Sequence, residues 1–125
     1  MSQMTWTTAQ QAAIDARGQN LLLSAAAGSG KTAVLTERIK KLITDMDDPA
    51  DITELLVLTF TRASAGEMKT RISSGIAKAL SEAEPERHTP LARHLSRQLA
   101  LMSSAQISTL DSFFQTLIRR YFYLI

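Results

Sequence analysis

No cysteine occurs in the 125 residues, so disulfides, thiolate metal sites and thiol nucleophiles are excluded. Long hydrophobic runs are also lacking. None approaches the roughly 18 residues that cross a bilayer, and Met1 to Ala13 is polar where a secretory leader would be apolar. A cytoplasmic protein without a membrane partner is the expectation. Charge of one sign is scarce: 14 Lys and Arg stand against 12 Asp and Glu, a net charge of +2. Net charge alone therefore points to no polyanion, and any nucleic-acid contact must come from local placement. There is no internal repeat and no low-complexity segment. What is present is an ordinary 45% apolar content, enough for a packed core in one domain or a piece of one.

The most informative stretch runs from Asn20 to Thr32, N-L-L-L-S-A-A-A-G-S-G-K-T. An apolar run (Leu21, Leu22, Leu23) leads into small residues that end in Gly30-Lys31-Thr32, and helical periodicity begins at once with Val34, Leu35, Ile39, Leu42 and Ile43. Strand, loop, helix is the context in which such a motif means a phosphate-binding loop. Gly28 and Gly30 allow backbone angles closed to other residues, so that N–H groups converge on phosphate oxygens at a helix N-terminus. Lys31 supplies a compact positive charge to the outer phosphates, and the Thr32 hydroxyl suits a magnesium ion that keeps most of its waters. The pattern G-x-x-x-x-G-K-[ST] asks for Gly where this chain has Ala25. The bland alternative, a small-residue turn followed by an accidental Lys-Thr, needs five residues and both flanking elements to agree by chance.

Around this stretch the chain alternates. Thr7 to Arg17 reads as a first helix stopped by Gly18, and Thr7 with Gln10 fits a capping box. The helix after the loop is expected to reach about Met46, with Leu35, Ile39, Leu42, Ile43 and Met46 inward. The acidic run from Asp45 to Asp51 reads as turn chemistry in preference to a metal site. Leu55 to Phe60 is an apolar run of strand length, as in a strand buried on both faces of a parallel sheet. Ser64 with Glu67 is expected to cap a helix lined by Ala65, Met68, Ile72, Ile76 and Leu80, followed by a loop from Ser81 to His88. Thr89 and Pro90 fit the N-cap and first position of the next helix, with Leu91, Leu95, Leu99 and Met102 inward. Ile107 to Leu110 is a third short strand, with Asp111 or Ser112 expected to cap the final helix. Three strand–helix units imply an α/β fold with a parallel sheet flanked by helices. Ligands in such sheets bind beyond the carboxyl ends of the strands, where the loop, Thr61-Arg62 and Thr109 stand.

These pieces resemble the N-terminal part of a UvrD/Rep-type superfamily 1 DNA helicase, within it the AddA (RecB-like) subunits of helicase-nucleases. The resemblance covers essentially the whole chain. It rests on W-T-T-A-Q-Q-A-A-I at Trp6 to Ile14, A-A-A-G-S-G-K-T at Ala25 to Thr32, L-T-F-T-R-A-S-A-G-E-M at Leu58 to Met68, and I-S-T-L-D-S-F at Ile107 to Phe113. It implies a P-loop NTPase (RecA-like) fold, of which residues 1–125 form the N-terminal part. It also implies ATP and Mg2+ as cofactors, held by Gln10 at the adenine edge and by Ala25, Ala26, Ala27, Gly28, Ser29, Gly30, Lys31 and Thr32 at the phosphates, with Lys31 and Thr32 acting in catalysis. It further implies that Phe60, Thr61, Arg62 and Thr109 lie in motifs that touch single-stranded DNA, hydroxyls and backbone groups holding the phosphate chain and Phe60 offering a stacking face. A second subunit of the AddB type is the partner it implies. Arg62 stands where relatives commonly have Asn, and Asp111 where many have His. Asp111 is read as a helix cap, since a carboxylate repels phosphate.

Hydrolysis in that family needs an acidic pair at the end of a later strand. After residue 32 no apolar run ends in Asp-Glu, so the chain is expected to stop before that motif and before any nuclease domain. ATP binding with little turnover by this segment, within a parent that moves on single-stranded DNA during double-strand break repair, is the resulting expectation. A small P-loop phosphotransferase and a non-catalytic remnant are the alternatives.

Overall fold

The computed structural model describes residues 5–24, 30–83 and 89–124. Five helices and two strands alternate in part: α1 (Thr8–Asp15), α2 (Lys31–Thr44), β1 (Leu56–Thr59), α3 (Arg62–Ala83), α4 (Pro90–Leu101), β2 (Gln106–Thr109) and α5 (Leu110–Tyr121). Single 3₁₀ turns precede β1 (Ile52–Glu54), precede β2 (Met102–Ser104) and follow α5 (Phe122–Leu124). The strands pair in parallel with Val57 opposite Ile107 and Thr59 opposite Thr109. This is a helix-rich α/β arrangement around a two-stranded parallel sheet.

The main core lies where α2, α3 and α4 meet the sheet. Ile39 and Ile43 from α2, Met68, Ile72 and Ile76 from α3, and Leu95 from α4 close on Val57. Each large aliphatic side chain of this kind contributes about 1.5–3 kcal/mol when fully removed from water. A second, smaller cluster joins α1 to α2 through Ala13, Ile14 and Val34, with Trp6 and Leu23 packed against it.

Several sequence expectations are corrected here. Leu21 to Leu23 is not a strand among the described residues; it is extended coil, and Leu22 is 92% exposed. An apolar run becomes a strand only when a neighbour supplies its ladder, and β1 and β2 pair with each other instead. β1 is not buried on both faces: Val57 is buried while Leu56 and Leu58 are exposed. The inner face of α2 is set by Val34, Ile39 and Ile43, leaving Leu35 and Met46 exposed. The helix ends at Thr44, before Met46, and α3 continues through Ser81 to Ala83, into the expected loop.

The helix caps also differ. Thr61, not Ser64, caps α3, its hydroxyl accepting from the Ser64 N–H at 3.1 Å. Glu67 instead pairs with Arg71 at 2.6 Å. At α5 the cap is Thr109 and neither Asp111 nor Ser112, with the Ser112 N–H donating to the Thr109 hydroxyl at 3.1 Å. In both places T-x-x-S lets the threonine hydroxyl receive the third N–H of the helix and hydrogen-bond the serine hydroxyl as well, at 2.8 and 2.9 Å. The Thr7–Gln10 capping box and the Thr89–Pro90 start form as read.

One buried polar residue carries no signal in the sequence. Gln98 of α4 is fully buried. Its Oε1 accepts from the Ile52 N–H at 2.6 Å and its Nε2 donates to Asp51 Oδ2 at 3.3 Å, fixing the turn that feeds β1. From the same helix, His94 Nε2 meets the Ile43 carbonyl at 2.8 Å.

Replacing Gln98 by Leu would keep the volume but orphan the buried Ile52 N–H, a loss of about 1–3 kcal/mol. The neighbouring exposed change Arg97→Ala is expected to stay within about 0.5 kcal/mol. Urea unfolding midpoints of the two variants measure the difference; similar shifts for both would show that the Gln98 bond is not the anchor of this turn.

Candidate functional site

The N-terminus of α2 differs from those of the other four helices. Thr7, Thr61, Thr89 and Thr109 cap α1, α3, α4 and α5 with their hydroxyls. At α2 the N-cap is Gly30, which has no side chain with which to cap. Its φ of 87° lies in the left-handed region where glycine carries no steric penalty. The first N–H groups of a helix have no intrahelical acceptor, and here no N-cap side chain satisfies them. Lys31 and Thr32 occupy the first turn and are exposed. Lys31 pairs with no carboxylate among the described residues. Orphan donors, the positive end of the helix dipole and an exposed ammonium together favour an anion. Ala25, Ala26, Ala27, Gly28 and Ser29, the rest of the expected loop, lie outside the described residues.

Gln10 reaches this helix start from α1. Its Oε1 accepts from the Thr7 N–H at 2.9 Å, so the capping box forms. Its Nε2 lies 3.8 Å from where a Cβ on Gly30 would stand. The side chain therefore caps its own helix and borders the phosphate-loop end at once, and capping does not consume the amide nitrogen. Gln10, Ala13 and Ile14 share one face of α1 by their i, i+3, i+4 spacing, the face that packs on Val34.

Polar links reinforce that small contact. Arg38 of α2 donates from Nη1 to the Ala13 carbonyl at 2.7 Å and to the Ala16 carbonyl. Arg17 Nη1 pairs with Asp45 at 2.8 Å, and Arg17 Nη2 donates to the Asp48 carbonyl at 2.7 Å. The acidic run thus serves the turn and its ion pairs, with the Asp47 N–H donating to Asp45 Oδ1 at 3.1 Å. Lys41 Nζ meets Asp15 Oδ1. The Lys41 ammonium, and after it the Gln11 amide, hold the Asp15 carboxyl below its ordinary 3.8. Asp51 is lowered in the same direction by the Thr53 hydroxyl and backbone N–H.

The expected DNA residues stand at the carboxyl ends of the strands. Phe60 is 93% exposed, so it is not a core residue at a strand end. Arg62 is exposed in the first turn of α3. Thr61 is exposed, with its hydroxyl engaged in the α3 cap. Thr109 is buried and its hydroxyl engaged at α5. The register brings Thr59 beside Thr109, so the two motif segments leave the sheet side by side. Sequence reading misses the capping duty of Thr61 and Thr109, although T-R-A-S and T-L-D-S display it. It also misses Arg38. No helix is long and apolar enough to cross a membrane among the described residues.

Residues 6–125 match the model of the UvrD/REP helicase N-terminal domain. The chain is similar to an ATP-dependent helicase/nuclease subunit of Bacillus licheniformis, 54% identical over 121 residues, which take in 97% of this chain and 9% of that protein. To the protein of the same name in Clostridium novyi it is 53% identical over 125 residues, 100% of this chain and 10% of that one. To that of Desulforamulus reducens it is 51% identical over 123 residues, 98% and 9% respectively. The chain thus spans about a tenth of the length of the curated relatives it matches.

Acid should loosen the fold through its lowered carboxyls. A carboxyl depressed in the folded state stabilises fully above its ordinary value of 3.8 and loses that contribution as pH falls through the folded value. Thermal midpoints followed from about pH 6 to about pH 3 are expected to drop below about pH 4, and the drop should be shallower in Asp15→Asn. An identical pH profile in that variant would show that the Lys41 pair contributes nothing.

Proposed function

Because the chain belongs to the UvrD/REP helicase N-terminal domain family, we propose that it is the ATP-binding segment of an ATP-dependent DNA helicase-nuclease with a P-loop, RecA-like fold. The observation that carries this reading is the helix start at Gly30, the one among the five with no N-cap hydroxyl, followed directly by exposed Lys31 and Thr32.

The donor set fits a magnesium–triphosphate. The N–H groups at the start of α2, with the backbone from Ala25 to Ser29, would bind phosphate oxygens, and the Lys31 ammonium would lie against the outer phosphates. The Thr32 hydroxyl is a suitable single protein ligand for Mg2+, which supplies charge neutralisation between the outer phosphates when bound. Gln10, bordering Gly30, would hold the adenine edge through its amide. Single-stranded DNA would run along the strand ends, with Phe60 as a stacking face and Arg62, Thr61 and the Thr109 segment beside the phosphate chain. The relatives are named as one subunit of a helicase/nuclease, which supports an AddB-like partner, a nuclease activity in the longer protein and a cytoplasmic role in double-strand break repair. In this segment no strand ends in the acidic pair that would orient the attacking water, so it binds ATP weakly with little turnover.

Titration with a fluorescent ATP analogue tests the site. Lys31→Ala is expected to weaken binding about tenfold or more, the loss of one charge-assisted contact. Equal binding by both proteins would overturn the assignment. In the longer protein, single-stranded DNA should raise ATP hydrolysis, and rising salt should abolish the stimulation.

A further inference from the structure

We infer that Arg38 is a positioning residue for the nucleotide base: by clamping the end of α1 onto α2 it fixes where Gln10 stands relative to the phosphate-binding helix start, and so sets the preference for adenine. The inference rests on the nucleotide site proposed above and concerns a side chain outside it.

Three observations lead there. Lys31, Val34 and Arg38 recur at i, i+3 and i+7 along α2, so one face of that helix carries the phosphate amine, the apolar contact and the guanidinium in succession. On α1 the opposing face carries Gln10, then Ala13 and Ile14. The two faces meet over few buried side chains, Ala13, Ile14 and Val34, of which two are no larger than valine. So small an apolar contact holds an eight-residue helix only loosely, since isolated helices that short are marginal in water.

Arg38 supplies what the apolar contact lacks. The Ala13 carbonyl belongs to the last turn of α1 and the Ala16 carbonyl to its C-cap residue, and both point where the helix no longer provides donors. The Arg38 Nη1 donates to both, and its charge sits at the negative end of the α1 dipole. Half-buried, it is screened less than the exposed Lys41–Asp15 pair. The clamp lies one turn beyond Gln10, whose own rotamer is fixed at the other end by the Thr7 N–H. Base contact and phosphate contact are thus tied together through Arg38, although Arg38 touches neither ligand.

The test uses this chain and competition of a bound fluorescent ATP analogue by ATP, by inosine triphosphate and by inorganic tripolyphosphate. Gln10→Ala should reduce the preference for ATP over inosine triphosphate about three- to tenfold, the worth of one hydrogen bond. Arg38→Met is expected to reduce it by a similar factor while leaving tripolyphosphate competition unchanged, and the double variant should lose no more than either single one. Arg38→Lys should restore part of the preference, and it stands in if the Met variant fails to fold. Lys41→Met, which removes the exposed pair, should leave the ratio as in the parent.

A lower thermal midpoint in Arg38→Met and Arg38→Lys with an unaltered ATP-to-inosine ratio would mean that Arg38 only holds the fold, and would overturn the inference alone. An unaltered ratio in Gln10→Ala would overturn the base-contact reading of Gln10, and this inference with it.

Discussion

A helix begins with N–H groups that have no partner within it, and the treatment of those groups organises this chain. At four of five helix starts a threonine hydroxyl accepts one of them. A hydroxyl cap is worth about 1 kcal/mol, so the threonines contribute to stability while closing those ends to ligands. At α2 the N-cap position is given to Gly30 in a left-handed conformation. The stabilisation forgone there is what leaves donors available for an anion, and a lysine in the next position adds charge instead of satisfying the backbone. Local stability and ligand capacity are opposed uses of the same atoms, and the choice between Thr and Gly decides which prevails.

The two cores follow a similar division. The larger one locks α2, α3 and α4 to the sheet with aliphatic side chains, so α2 is a rigid platform. The smaller one attaches α1, and with it Gln10, through a modest apolar contact reinforced by Arg38, Arg17 and Lys41. Exposed ion pairs each add little, roughly 0–1 kcal/mol. The half-buried guanidinium on two backbone carbonyls is the directional element among them, because it specifies one position along the α1 axis where apolar packing alone tolerates sliding.

Much of this is legible in the sequence because it depends on local chemistry. Thr7 with Gln10, Thr89 with Pro90 and the 3.6-residue periodicity of Ala65, Met68, Ile72 and Ile76 each act within a few residues, and each appears as expected. The Thr61 and Thr109 caps escape a sequence reading because overlapping cap patterns compete. Ser64-x-x-Glu67 resembles a capping box as strongly as Thr61-x-x-Ser64 does, and only the register of α3 decides between them. Arg38 and Gln98 are invisible for a different reason. Their partners, the carbonyls of Ala13 and Ala16 and the N–H of Ile52, are backbone atoms remote in sequence that carry no residue signature.

The strands mark a further physical limit. Leu21 to Leu23 and Leu55 to Phe60 both read as strands from their apolar runs, yet the first is coil and the second is buried on one face only. Apolar sequence records a capacity to be buried, whereas a ladder is a relation between two segments, and hydrophobicity does not say which segments meet. β1 finds β2, in a register that sets Thr59 opposite Thr109, so the pairing itself aligns the two strand ends. Phe60 and Arg62 then project from a junction fixed by backbone hydrogen bonds on one side and a threonine cap on the other. An exposed aromatic ring can hold a defined direction without packing against anything when the backbone on both sides of it is fixed. The strand and cap that flank Phe60 supply that condition.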